Sequence, residues 1–101
     1  MRDTNLRMLP TKCRVLMLLK ENGAMWTSDI SEAMFEQKIV PNTNRWKWVI
    51  RFYLLEMQIN GMTKFVDNRI ADPQYYGADE VIETKYEITK FGLQRLEDVL
   101  R

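Results

Sequence analysis

The sequence predicts a single α+β domain: a three-helix bundle, then a two-stranded β-hairpin, then a C-terminal helix. Three observations carry that prediction. Residues 42–61, NTNRWKWVIRFYLLEMQING, form the longest stretch of helical apolar periodicity. Residues 62–70 and 81–88 favour extended geometry, the second by alternation of apolar and charged positions. The segment between them, ADPQYYGADE, carries the turn signals Asp-Pro and Gly-Ala-Asp.

The first helix is predicted over 10–22, PTKCRVLMLLKEN. Pro10 suits a first turn, where its missing N–H would have no partner anyway. Val15, Leu16, Leu18 and Leu19 supply the buried face, Met17 lies off it, and Gly23 ends the helix. Residues 24–26 read as a short extended link. Thr27 or Ser28 is then the expected cap of a second helix, SDISEAMFEQ, whose Asp29 and Glu32 sit where the helix dipole favours negative charge. Pro41 pushes Val40 out of helical geometry, so 38–42 is a tight connection.

The long helix follows, capped by Asn42 or Thr43 and closed by Gly61. At about 100° per residue, Trp46, Val49, Ile50, Tyr53 and Met57 form a core stripe. Trp48, Phe52, Leu55 and Ile59 form a second apolar stripe about 210° from Trp46. Asn44, Lys47, Arg51 and Gln58 make a polar strip between them, and Arg45 and Glu56 occupy the other gap. Apolar on two sides, such a helix is expected to be clamped between neighbours, with a narrow polar face left to solvent. That face offers cations and amides, which either simply solvate or pair with phosphates and base edges.

The hairpin comes next. In its second strand Ile82, Thr84, Tyr86 and Ile88 face one way and Val81, Glu83, Lys85 and Glu87 the other, so one face is mostly apolar and the other mostly charged. The last helix, 89–101, starts at Thr89 as cap and carries an apolar seam, Leu93, Leu96 and Leu100. This seam suits a core, a dimer contact or both. Gly92 costs this helix about 1 kcal/mol against Ala, which points to close backbone packing.

At 101 residues, 46% hydrophobic and 29% charged, the chain is large enough for one core without staples. Residues 1–9 read as a lead-in and 10–101 as the domain. The one cysteine, Cys13, lies in an apolar-periodic segment and reads as a buried thiol, with redox sensing or an intermolecular bridge as the lesser alternative. The absence of histidine removes His-based catalysis and the usual zinc sites, and the glycines form no phosphate loop. No enzymatic activity and no cofactor are expected. No apolar run approaches the ~18 residues of a membrane span, and the first residues lack a signal-peptide core, so a cytoplasmic location is expected.

Net charge is +1, but it is unevenly spread. Residues 38–64 hold five cations against one anion, and residues 65–84 hold one cation against five anions. The long helix therefore sits in the most basic part of the chain, as a domain with one anion-facing side requires.

The order helix, link, helix, turn, helix, hairpin, helix resembles the winged helix-turn-helix arrangement. VLMLLKENG is similar to that family's opening helix, and WTSDISEAM to its polar-capped second helix. KYEITKFGLQRLEDVL is the most specific part, a strand running into Thr, Gly three residues on, then spaced leucines. It resembles the ending of MarR-, PadR- and ArsR-type transcription regulators of prokaryotes. The resemblance covers about residues 10–100. It implies that 43–60 is a recognition helix in the major groove of double-stranded DNA and that 67–80 is a wing. Carried over by position, Asn44, Lys47 and Arg51 would face bases and phosphates, Thr43 and Arg45 the phosphate edge, and Arg69 the wing contact. Binding as a homodimer through terminal helices is also implied. The wing's Asp67, Asp72, Asp79 and Glu80 depart from the pattern, because phosphates repel them. A module that docks protein through this acidic wing is the alternative function; Tyr75 and Tyr76 at its tip are either an exposed aromatic contact or, as the favoured reading, one folded back on the domain and the other incidentally exposed.

Overall fold

A computed structural model describes residues 10–100 of the chain; the lead-in 1–9 lies outside the described residues. The described part is α+β. Helix α1 (Pro10–Asn22) leads through strand β1 (Met25–Trp26) to α2 (Thr27–Glu36) and α3 (Asn44–Ile59). Strand β2 (Thr63–Ile70), the single-turn helix α4 (Pro73–Tyr76), strand β3 (Ile82–Ile88) and helix α5 (Lys90–Leu100) follow.

The sheet has three antiparallel strands in the order β1-β3-β2, not the two expected. The link at 25–26 became a strand because β3 offers it a free edge, and Met25 pairs with Tyr86 and Trp26 with Lys85. On the other side β2 pairs with β3 from Thr63↔Ile88 to Ile70↔Ile82, with a bulge at Val66 that shifts the register by one.

The core collects the buried sides of all these elements. Val15, Leu16, Leu18 and Leu19 of α1 meet Ile30 and Met34 of α2, Ile50, Leu54 and Met57 of α3, Tyr86 of β3 and Leu96 of α5. Burial of each such side chain stabilises by about 1.5–3 kcal/mol. Met17, expected off the buried face, packs partly against this core. Cys13 is buried and free, and burial raises its thiol pKa.

Helix ends follow their chemistry with one exception. The Gly23 N–H closes α1 on the Leu19 carbonyl at 3.0 Å with φ +79°, and the Thr43 hydroxyl caps α3 by accepting from the Trp46 N–H at 3.2 Å. Thr89 caps α5 by accepting from the Gly92 N–H at 2.9 Å. The exception is α2. Its expected caps are occupied otherwise: the Thr27 hydroxyl donates to the Thr84 carbonyl at 2.7 Å, and the helix is capped from outside by the Glu83 carboxylate, which accepts from the Ser28 N–H at 2.7 Å.

Two further expectations fail for one reason, the direction in which neighbours arrive. Leu54, assigned to neither stripe of α3, is fully buried, because the contact is centred on Ile50, Leu54 and Met57, leaving Trp46, Val49 and Tyr53 at its margins. The second stripe is not clamped: Trp48, Phe52, Leu55 and Ile59 are all exposed. On β3 the alternation is real but the burial is mixed. Tyr86 is buried as expected, yet Ile82 is exposed, and Glu83 is only 2% exposed under the start of α2. No helix among the described residues is long and apolar enough to cross a membrane.

Candidate nucleic-acid interface

The N-terminal half of α3 brings together five of the six residues singled out in the sequence. Thr43, Asn44 and Arg45 are exposed around the first turn, where unpaired backbone N–H groups and the helix dipole favour an anion. Lys47 and Arg51 stand one and two turns further on, and neither projects freely. The Lys47 ammonium donates to the Tyr75 carbonyl at 2.8 Å and lies 4.0 Å from the centre of the Tyr75 ring. The Arg51 Nη2 donates to the Ile82 carbonyl at 2.7 Å, and its guanidinium lies 5.1 Å from the rings of both Trp48 and Tyr76.

These partners are neutral. A carbonyl dipole and an aromatic face orient a cation without cancelling its charge. Lys12–Glu56, Lys64–Glu87 and Arg69–Glu83 form ion pairs among the described residues, and none of these involves Arg45, Lys47 or Arg51.

The segment that holds the two cations is the loop between β2 and β3. Asp72 caps α4 by accepting from the Gln74 N–H at 2.9 Å, Pro73 starts the turn, and Gly77 ends it in the left-handed conformation at φ +73°. The loop closes where the Ala71 N–H meets the Val81 carbonyl at 2.8 Å. Tyr76 is buried, tilted against Trp48 at 5.4 Å and edge-on to Tyr75 at 4.9 Å. The Tyr75 hydroxyl donates to Glu32 of α2 at 2.7 Å. Burial and the Glu32 carboxylate together push the Tyr75 pKa far up. The loop therefore folds back onto α2 and α3, and its tyrosines form an anchor instead of a tip. Trp48 is covered on one side by this loop, where a neighbouring helix was expected.

Arg69 belongs to a different cluster. It donates to Glu83 at 3.2 Å and stacks 4.1 Å from the centre of Trp26. Glu83 is the centre of that cluster. Burial alone would raise its pKa, but donation from the Ser28 hydroxyl and N–H and from Arg69 outweighs it and holds the carboxyl below its ordinary value. With its charge matched by a buried carboxylate, Arg69 does not join the cationic half of α3.

The acids frame the patch. Asp29, Glu32 and Glu36 of α2 and Asp72, Asp79 and Glu80 of the loop are exposed on the elements next to α3 and disfavour phosphate there. Sequence reasoning missed the Glu83 cap, for which no local signal exists, since a glutamate on the charged side of a strand reads as solvated. One of Tyr75 and Tyr76 was expected to fold back on the domain; both pack inward, on the capped helical turn that Asp72, Pro73 and Gly77 spell. No family model, no characterised protein and no solved structure matched the chain.

Proposed function

We propose that the chain is a winged helix-turn-helix DNA-binding protein of the prokaryotic regulator type. In this reading α2 and α3 form the helix-turn-helix, α3 is the recognition helix, and β2, β3 and the loop between them are the wing. The observation that carries it is the uncompensated charge of Arg45, Lys47 and Arg51 along one end of one helix, with its free N-terminus and the amide of Asn44 beside them. Asn44 is the side chain suited to base edges, and Thr43, Arg45, Lys47 and Arg51 to phosphates. The wing acts as a buttress. Its carbonyls aim Lys47 and Arg51, and its own carboxylates keep it off the backbone of the duplex.

The test is fluorescence anisotropy of a labelled duplex across a salt series. Three cations on phosphates predict a log–log slope between about −2 and −3. Replacing Lys47 and Arg51 with Ala removes about one unit of slope each. An unchanged slope in the double variant would show that another surface reads the DNA, and undetectable binding at low salt would remove the proposal.

A second reading, docking of protein, rests on a different observation: the apolar stripe Trp48, Phe52, Leu55 and Ile59 left exposed on α3. With Tyr76 buried and Tyr75 half-buried, the docking surface in that reading is α3 and not the wing tip.

A further inference from the structure

The outward side of α3 changes character along its length. Asn44 and Arg45 are polar, but from one turn on it reads Trp48, Phe52, Leu55 and Ile59, spaced i, i+4, i+7 and i+11, with exposure rising to 77% at Ile59. An open groove of about 380 Å³ runs between the stripe and the sheet, with Trp48, Arg51, Phe52 and Leu55 on the side of α3 and Thr27, Thr84 and Tyr86 opposite.

We infer that this face is a self-association surface: two copies of the chain pair their α3 helices antiparallel, stripe against stripe. Area is the first argument. These four side chains leave on the order of 500 Å² of surface uncovered per chain, within the range of the largest patch on a monomer. Two copies together bury about 1,000 Å², the least that a specific interface needs.

Charge is the second argument, and it selects the partner. The stripe itself carries no charge, so a two-fold axis through it buries none at its centre. Arg45 and Glu56 lie on one flank of the stripe, at about 260° and 280° from Trp46, and Lys47, Arg51 and Gln58 lie on the other. Antiparallel helices bring the same flank together with ends reversed. Arg45 of each copy then comes within side-chain reach of Glu56 of the other, while Lys47 and Arg51 of both copies share the opposite flank with the neutral Gln58, each cation already held by a carbonyl of its own chain. Glu56, which already pairs with Lys12, keeps about two-fifths of its side chain exposed for this contact. A parallel pairing would set the cationic ends together and align the helix dipoles unfavourably.

The pairing has a consequence for the proposed reader. A major groove about 12 Å wide admits one helix about 10–12 Å across. A copy of α3 seated on the stripe therefore keeps the other out of the groove, and self-association holds the reader in store.

Sedimentation velocity without DNA tests the pairing, so its outcome is independent of the DNA reading. The wild-type chain is expected to pass from monomer to dimer over about 1–100 μM, with the transition moved at least tenfold higher in Phe52→Glu/Ile59→Glu. Both side chains are exposed, and unchanged circular-dichroism melting confirms that the variant folds. Arg45→Glu is expected to weaken the dimer, and Arg45→Glu combined with Glu56→Arg to restore it. A wild type that stays monomeric throughout would overturn the inference. So would a dimer unmoved by the stripe variant, or one dissociated instead by Phe91→Glu/Leu100→Glu on the exposed side of α5.

Discussion

The ammonium of Lys47 is held by a single residue in two ways: it donates to the Tyr75 carbonyl at 2.8 Å and lies 4.0 Å from the centre of the Tyr75 ring. The residue expected to reach outward from α3 thus also ties down the loop between the strands. Lys47→Met keeps the stem and removes the donor. Its expected outcome is faster amide hydrogen exchange at residues 74–77, with global stability lowered by about 1 kcal/mol. Exchange that is unchanged at these amides would mean that Tyr76 and its packing hold the loop alone.

Glu83 makes stability depend on pH. Its folded-state pKa is depressed, so its contribution is fully present above the unfolded value near ~4.3 and is lost as pH falls through the folded pKa. Glu83→Gln keeps the shape but loses the charge. The variant is expected to be less stable by about 2–3 kcal/mol at pH 7, because Arg69 and the start of α2 lose their anionic partner. The gap between variant and wild type should close below about pH 4, as followed by urea melts at several pH values.

Gly92 packs closely on the turn after α3. A Cβ there would sit 2.2 Å from the Met62 carbonyl oxygen and 2.8 Å from the Ile88 Cγ1. Ala improves an isolated helix by about 1 kcal/mol, but this clash is with backbone and costs more. Gly92→Ala is expected to lower stability by about 2–3 kcal/mol in a denaturant melt. A stabilised variant would show that α5 does not lie this close to the turn after α3.

Cys13 is buried against α5 and the end of α3, and its thiol pKa is raised. Thiolate is the reactive form, so an aromatic disulfide reagent should react with the native chain at least about tenfold more slowly than with the urea-unfolded chain. Equal rates would reopen the reading of Cys13 as a sensor.

Much of the fold was legible because its signals are local. The Thr43 and Thr89 caps, the left-handed Gly23 and Gly61 and the close packing at Gly92 each depend on residues within a few positions of one another, or on a cost visible in the sequence. The candidate site was legible only as a position. The strip with Lys47, Arg51 and Gln58 was expected to face solvent, but it is half covered, and what holds Lys47 and Arg51 comes from residues about thirty positions away, which no periodicity records.

What the sequence by itself determined is the order and type of the elements, because hydrophobic periodicity, capping oxygens and glycine conformations act within a turn or a strand. Tertiary structure alone decided which faces are covered. The sequence marks Trp48, Phe52, Leu55 and Ile59 as apolar, and it marks Glu83 as charged. Whether a side chain is buried depends on where the next element arrives. α1, α2 and the sheet all approach α3 from the side of Ile50, Leu54 and Met57, which leaves the second stripe to water, while the start of α2 lands on Glu83 and replaces its lost hydration with hydrogen bonds.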